Sequence, residues 1–123
     1  HWRAFPDAVP ALTRALEAGL QVGILTNGAM ELQQRKLERT GLDISGVQLL
    51  TSTGLGAAKP NPECYERALA VIGTTAHETF MVGDSLANDV EGARAVGITA
   101  FHLVRDHSSD DLYSLPSLDL LPF

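Results

Sequence analysis

Short apolar runs and longer stretches of helical spacing alternate along this chain. Over residues 8–18, Val9, Leu12 and Leu16 recur at three- and four-residue intervals and predict a helix with one apolar face. Asp7 stands at its N-cap position, Pro10 falls in its first turn and Gly19 marks its stop. Residues 20–25 then read as a strand that breaks at Thr26-Asn27-Gly28, and a second helix over 30–39 ends at Gly41. Residues 47–50 predict a short strand, followed by a glycine-rich loop over 53–56 and by Lys59-Pro60. Asn61 caps, and Pro62 opens, a helix reaching Ile72. A strand over 79–82, a helix over 86–95 with Gly97 at its stop, and a strand over 98–104 complete the series. This order predicts an α/β fold: a parallel sheet with helices on both faces. In the tail, residues 105–111 read as a solvated loop, with Leu118, Leu120 and Leu121 docking a last short segment.

Composition narrows the class. With 123 residues and 45% hydrophobic content the chain can bury one modest core, so residues 1–123 read as a single domain. A net charge of -6 argues against binding nucleic acid through a basic face. Small phosphorylated molecules stay compatible with it, because a bound cation offsets local negative charge. Cys64, the one cysteine, cannot form an internal disulfide, which points to a reducing, cytoplasmic setting. No apolar run approaches the ~20 residues of a membrane-spanning helix. The chain opens on His1 rather than Met.

Candidate chemistry gathers at predicted strand ends. Gly83-Asp84 follows the run Thr79-Phe80-Met81-Val82, which puts Asp84 at the carboxyl edge of the sheet, where open α/β folds bind ligands. Asp89 falls on the first turn of the following helix, facing the same crevice. Two hard oxygen donors without clustered His or Cys suit Mg²⁺ better than zinc or copper. Thr26 and Asn27 end the first strand, where a hydroxyl, an amide and free backbone N–H groups can meet an anion. Lys59 precedes Pro60, which restricts its backbone and fixes the bend from which its side chain projects. His77, His102 and His107 lack ligand spacing and read as surface groups, Cys64 as a packing residue, and Trp2 and Phe5 as apolar hinge residues.

Taken in order, Leu25-Thr26-Asn27-Gly28, Lys59-Pro60-Asn61-Pro62, and Val82-Gly83-Asp84-Ser85 with Asp89-Val90 and Gly92-Ala93 resemble the second, third and fourth motifs of the haloacid dehalogenase-like hydrolase superfamily. The resemblance implies a Rossmann-like core. It also implies that Thr26 and Asn27 hydrogen-bond a transferring phosphoryl group, Lys59 neutralises its charge, Asp84 ligates Mg²⁺, and Asp89 holds a metal-bound water or Lys59. Asp84 stands where the family's dehalogenases tend to carry a neutral Ser-Asn pattern, so the resemblance favours phosphate chemistry on a small phosphorylated metabolite.

The chain departs from the family at its first motif. No Asp-x-Asp-x-Thr run precedes Thr26, so the nucleophilic aspartate and the central strand that carries it are expected outside this sequence. Asp7 reads instead as a helix cap within Phe5-Pro6-Asp7-Ala8-Val9, which resembles the family's return from its cap domain. Any cap is therefore expected before His1. The lost central strand would leave a gap between the strands ending at Leu25 and Val82. Those strands must then pair directly, or another chain must fill the gap, which would bring self-association. Two readings stand: the C-terminal core portion of a Mg²⁺-dependent phosphatase, inactive alone, or a non-catalytic remnant serving metal or phosphate binding or assembly. A receiver-type signalling domain fits less well, because there the lysine follows the acidic strand ends, whereas Lys59 precedes Asp84.

Overall fold

A computed structural model describes residues 6–105 and 114–121. Helix α1 (Ala8–Glu17) leads to strand β1 (Val22–Thr26), helix α2 (Met30–Thr40) and strand β2 (Val47–Thr51). A short helix α3 (Ser52–Leu55) precedes α4 (Pro62–Ile72), a 3₁₀ turn (Ala76–Glu78) and β3 (Phe80–Gly83). A π-helical turn (Leu86–Glu91) runs into α5 (Gly92–Ala95), then β4 (Thr99–Leu103), β5 (Ser114–Leu115) and a 3₁₀ turn (Leu118–Leu120). The expected α/β alternation with parallel pairing is present. No described helix is long and apolar enough to cross a membrane.

The strands form two parallel sheets rather than one. β1 pairs β2 from Val22↔Val47 to Thr26↔Thr51. β3 pairs β4 from Phe80↔Thr99 to Gly83↔His102, and β5 adds to β4 through His102↔Ser114 and Leu103↔Leu115. β1 and β3 do not pair, and among the described residues no strand lies between them. One core nevertheless joins the two sheets. Tyr65, Val90, Ala93, Ile98 and Ala100 are buried together, and Leu25 of β1 and Met81 of β3 both pack against them. Between the sheets an apolar slot opens, lined by Gly23, Leu25 and Leu50 on one side, Phe80 and Met81 on the other, and Leu69 of α4.

Local chemistry explains most boundaries. Asn61 Oδ1 accepts from the Glu63 amide at 3.0 Å with Pro62 in the first turn, and Gly73 closes α4 in the left-handed region at φ 84°. Gly41 closes α2 in the same way at φ 75°.

Several expectations need correction. The buried face of α1 is Ala11 and Ala15, not Val9, which is exposed; small residues let that helix approach its neighbours closely. Residues 53–56 are not an open loop, because Ser52–Leu55 makes a helical turn whose start is capped by Thr51 Oγ1, accepting from Gly54 N at 3.1 Å. The helix expected over 86–95 begins as a π-turn.

Asp7 is not a side-chain cap either. Its carboxylate is 9% exposed and receives Arg105 in a two-pronged ion pair at 2.9 and 3.0 Å, with Ser117 Oγ and the Leu118 amide each donating at 3.0 Å. Arg14 donates to the Leu118 carbonyl at 3.0 Å. The start of α1 is thereby tied to the C-terminal segment, where Leu121 is buried and Leu120 exposed. Trp2, Phe5, Asp106, His107, Ser108, Ser109, Asp110 and Asp111 lie outside the described residues.

Candidate active site

The carboxyl ends of β1 and β3 face a common crevice that Lys59 spans. Its Nζ donates to the Leu25 carbonyl, in β1, at 3.2 Å and to Asp89 Oδ1, in the π-turn after β3, at 2.6 Å. Both side chains of the ion pair are only 11% exposed. A partly buried charge of this kind needs its partners, since an unpaired ammonium or carboxylate in such a place costs several kcal/mol.

The backbone of Lys59 is held as firmly as its side chain. Asn27 Oδ1 accepts from the Lys59 amide at 2.9 Å, and Asn27 Nδ2 donates to the Lys59 carbonyl at 3.1 Å. The amide expected to meet a phosphoryl group is thus engaged on both sides with the lysine's own main chain. The Lys59-Pro60 peptide is cis. The loop after β1 is further laced to the end of β2: Gly28 N donates to Ser52 Oγ at 2.8 Å, and Thr53 Oγ1 donates to the Gly28 carbonyl at 3.0 Å. Thr26 ends β1 immediately beside the Leu25 carbonyl that receives Lys59, and its hydroxyl donates to the Asn27 carbonyl at 3.3 Å.

Asp89 reaches Lys59 because a wide turn and a glycine allow it. Ser85 Oγ accepts from the Asn88 amide at 3.2 Å and so starts the π-turn. Asp89 Oδ2 accepts from Ser85 N at 3.1 Å, while its own amide donates to the Ser85 carbonyl at 2.8 Å. A Cβ at Gly83 would fall 2.3 Å from the Asp89 carboxylate carbon and Oδ2, so only glycine leaves room for that side chain. With one oxygen on Lys59 and the other on a backbone amide, Asp89 is engaged on both oxygens.

Asp84 is exposed at the carboxyl end of β3. Its main-chain carbonyl lies 3.1 Å from His102 Nε2, which donates when that nitrogen carries the proton. His102 therefore stands at the site edge, opposite Gly83 in the ladder, rather than on unrelated surface. Among the described residues no three His, Cys, Asp or Glu side chains come together, so the described part of the site offers a hard cation the exposed Asp84 carboxylate rather than a cage. A single carboxylate fits Mg²⁺, which keeps several waters and takes remaining ligands from phosphate and neighbouring groups.

Two residues that carried no sequence signal complete the arrangement. Tyr65, 1% exposed, donates its hydroxyl to the Asn88 carbonyl, and burial, reinforced by the neighbouring Cys64 and Asp89, pushes its pKa up to about 12. Ser52 has its Oγ inside the Gly28 loop. Cys64 is fully buried, and burial pushes its thiol up, against a smaller opposing pull from Lys59. It packs, as expected. The resulting site is an ammonium held between the end of β1, which Thr26 closes, and the turn after β3, which exposed Asp84 opens, a set suited to an anion bound together with a hard cation.

Known proteins share this architecture. A phosphoserine phosphatase from Thermus thermophilus is 36% identical over 114 residues, 93% of this chain and 46% of its own length. A glyceraldehyde 3-phosphate phosphatase from Methanopyrus kandleri is 31% identical over 108 residues, 88% of this chain and 46% of its own length. The chain thus spans about half the length of the curated relatives it matches. The crystal structure of a haloacid dehalogenase-type phosphatase from Thermococcus onnurineus superposes with a TM-score of 0.83 at 32% identity, over 94% of this chain and 55% of that one. A dehalogenase structure superposes with a TM-score of 0.86 at 27% identity, over 95% of this chain and 54% of that one. The haloacid dehalogenase-like hydrolase family model matches residues 1–97, and the chain belongs to that family.

Proposed function

We propose that this chain is the C-terminal core portion of a Mg²⁺-dependent phosphatase acting on a small phosphate ester, with its nucleophilic aspartate carried by a strand that seats between β1 and β3. The observation that carries the reading is the position of Lys59. Its ammonium bridges the end of β1 and the turn after β3, across the gap between the two sheets. A strand entering that gap would satisfy the facing backbone edges and fill the apolar slot. An Asp-x-Asp-x-Thr run at its carboxyl end would arrive beside Lys59, Thr26 and Asp84.

In this reading Lys59 offsets the negative charge of the nucleophile and the phosphoryl oxygens, and the Thr26 hydroxyl donates to one of those oxygens. Asp84 would hold the Mg²⁺, which screens the phosphate charge when bound. The supplied carboxylate attacks phosphorus as the ester oxygen leaves and takes up a proton; water then hydrolyses the aspartyl-phosphate to inorganic phosphate and the free carboxylate. Relatives named for phosphoserine and glyceraldehyde 3-phosphate support small phosphorylated metabolites as substrates.

The open slot favours one other reading, a non-catalytic assembly module in which a second chain covers the gap. One experiment separates the two: join a strand bearing Asp-x-Asp-x-Thr ahead of residue 1 and follow phosphate release from phosphoserine and glyceraldehyde 3-phosphate with and without Mg²⁺. The phosphatase reading expects Mg²⁺-dependent release that collapses in Asp84→Asn. A stable dimer that takes up no strand and releases no phosphate supports assembly instead.

A further inference from the structure

Lys59 and Tyr65 are the two ends of one segment, and both grip the same turn. Lys59 binds the side chain of Asp89, while Tyr65, from the first turns of α4, donates to the main-chain carbonyl of the preceding residue, Asn88. The two contacts form adjacent rungs between residues 59–65 and residues 88–89. The ring has little freedom to shift: Tyr65 is 1% exposed, and a Cβ at Gly92, one turn beyond Asn88, would lie 2.3 Å from its hydroxyl oxygen. Asp89 has equally little, with its carboxylate against Gly83 and one oxygen on Ser85 N. The turn that presents Asp89 is a π-turn, a wide register that occurs mostly as single turns and frequently at functional sites. Its backbone is held partly from outside, by the hydroxyl of Tyr65.

We infer that Tyr65 is a positioning residue for the site: by holding the Asn88 carbonyl it sets the π-turn at the width that delivers the Asp89 carboxylate to Lys59, and so fixes where the ammonium stands. This rests on the phosphatase reading only for what the ammonium does, not for how it is held. The hydroxyl stays protonated at working pH, since burial raises its pKa, and so remains a donor throughout.

The test uses this chain and needs no turnover. The sequence contains two lysines, Lys36 and Lys59, so Lys36 on α2 serves as an internal reference. Each is labelled with an amine-reactive ester at pH 7.5 and quantified by mass spectrometry. Tyr65→Phe keeps the ring and removes only the hydroxyl. It should leave the far-UV circular dichroism unchanged and raise the Lys59-to-Lys36 labelling ratio about fivefold, the effect of releasing one net hydrogen bond's worth of constraint. Asp89→Asn, which weakens the ion pair directly, should raise it further. If Tyr65→Phe folds poorly, Gly92→Ala crowds the hydroxyl with the ring retained and should raise the ratio in the same way. A wild-type ratio in Tyr65→Phe beside a raised ratio in Asp89→Asn overturns the inference, as does a wild-type ratio in both. A raised ratio in both, in a protein that proves to release no phosphate once the strand is supplied, keeps Tyr65 as the positioning residue and removes the phosphatase reading alone.

Discussion

Replacing Asp7 with alanine removes a carboxylate that receives two hydrogen bonds from Arg105, at 2.9 and 3.0 Å, and one each from Ser117 and Leu118, at 3.0 Å. Hydrogen bonds to a charged group are worth about 1.5–3 kcal/mol each. Four of them sum to more than the ~3–5 kcal/mol lost when one partner of a buried pair is deleted, because they share one carboxylate and are not additive. The Arg105 side chain is 28% exposed, so its charge is already partly solvated. The lower end applies, about 3 kcal/mol, a large part of the ~5–15 kcal/mol that holds a domain of this size.

The pH dependence gives the sharper check. The Arg105 guanidinium, helped by the Leu118 amide and the Ser117 hydroxyl, holds the Asp7 carboxyl well below the usual carboxylate range, against the opposing effect of burial. A carboxyl whose folded-state pKa is depressed contributes stability above its unfolded value of about 3.9, and loses it as pH falls through the folded value. Urea unfolding followed by circular dichroism should therefore show the full gap between wild type and Asp7→Ala at pH 7. The gap should narrow as the pH is taken below about 4. A variant within about 0.5 kcal/mol of wild type at pH 7, or a gap that stays constant into acid, would refute the clasp.

Other perturbations probe the site. Gly83→Ala places a methyl 2.3 Å from the Asp89 carboxylate and should cost about 1–3 kcal/mol in urea unfolding, with the Lys59 labelling ratio raised as Asp89 is displaced. Asn27→Ala removes both side-chain bonds to the Lys59 main chain and should speed hydrogen exchange at the Lys59 amide about tenfold, seen by NMR. Once a nucleophile-bearing strand is joined to the chain, Lys59→Met should lower kcat for phosphate release by about 10²–10³-fold, with KM much less affected. The chain without that strand should show negligible turnover of an aryl phosphate with Mg²⁺; turnover abolished by Asp84→Asn would place the nucleophile within these 123 residues.

Much of the fold was legible because its determinants are local. Asn61-Pro62 starts α4, Gly41 stops α2, and apolar runs bounded by Gly or Asn mark β1 and β3. The places of Thr26 at the end of β1 and Asp84 after β3 follow from the same logic, since parallel strands turn their carboxyl ends to one side. What escaped depends on distant partners. Asp7 looks like a cap when only its neighbours are seen, and its partner Arg105 lies 98 residues away. Nothing local to Asn27 announces that its side chain binds the main chain of Lys59, 32 residues on. Tyr65 carries no local signal of its role, because its hydroxyl acts 23 residues downstream on a π-turn whose width no periodicity announces. The buried face of α1 is not set by its larger apolar residues, because close packing selects Ala11 and Ala15 over Val9.

A strand seated between β1 and β3 that brings an aspartate to the ammonium of Lys59 can be caught by trapping the phosphoryl group. With the Asp-x-Asp-x-Thr strand joined ahead of residue 1, the protein is mixed with a ³²P-labelled phosphate ester and Mg²⁺, quenched in acid within milliseconds and mapped by peptide. Label is expected on the first aspartate of the added strand, lost in Lys59→Met and in Asp84→Asn. Label on a residue of the 123-residue chain itself, or phosphate release with no labelled intermediate on the strand, would contradict it.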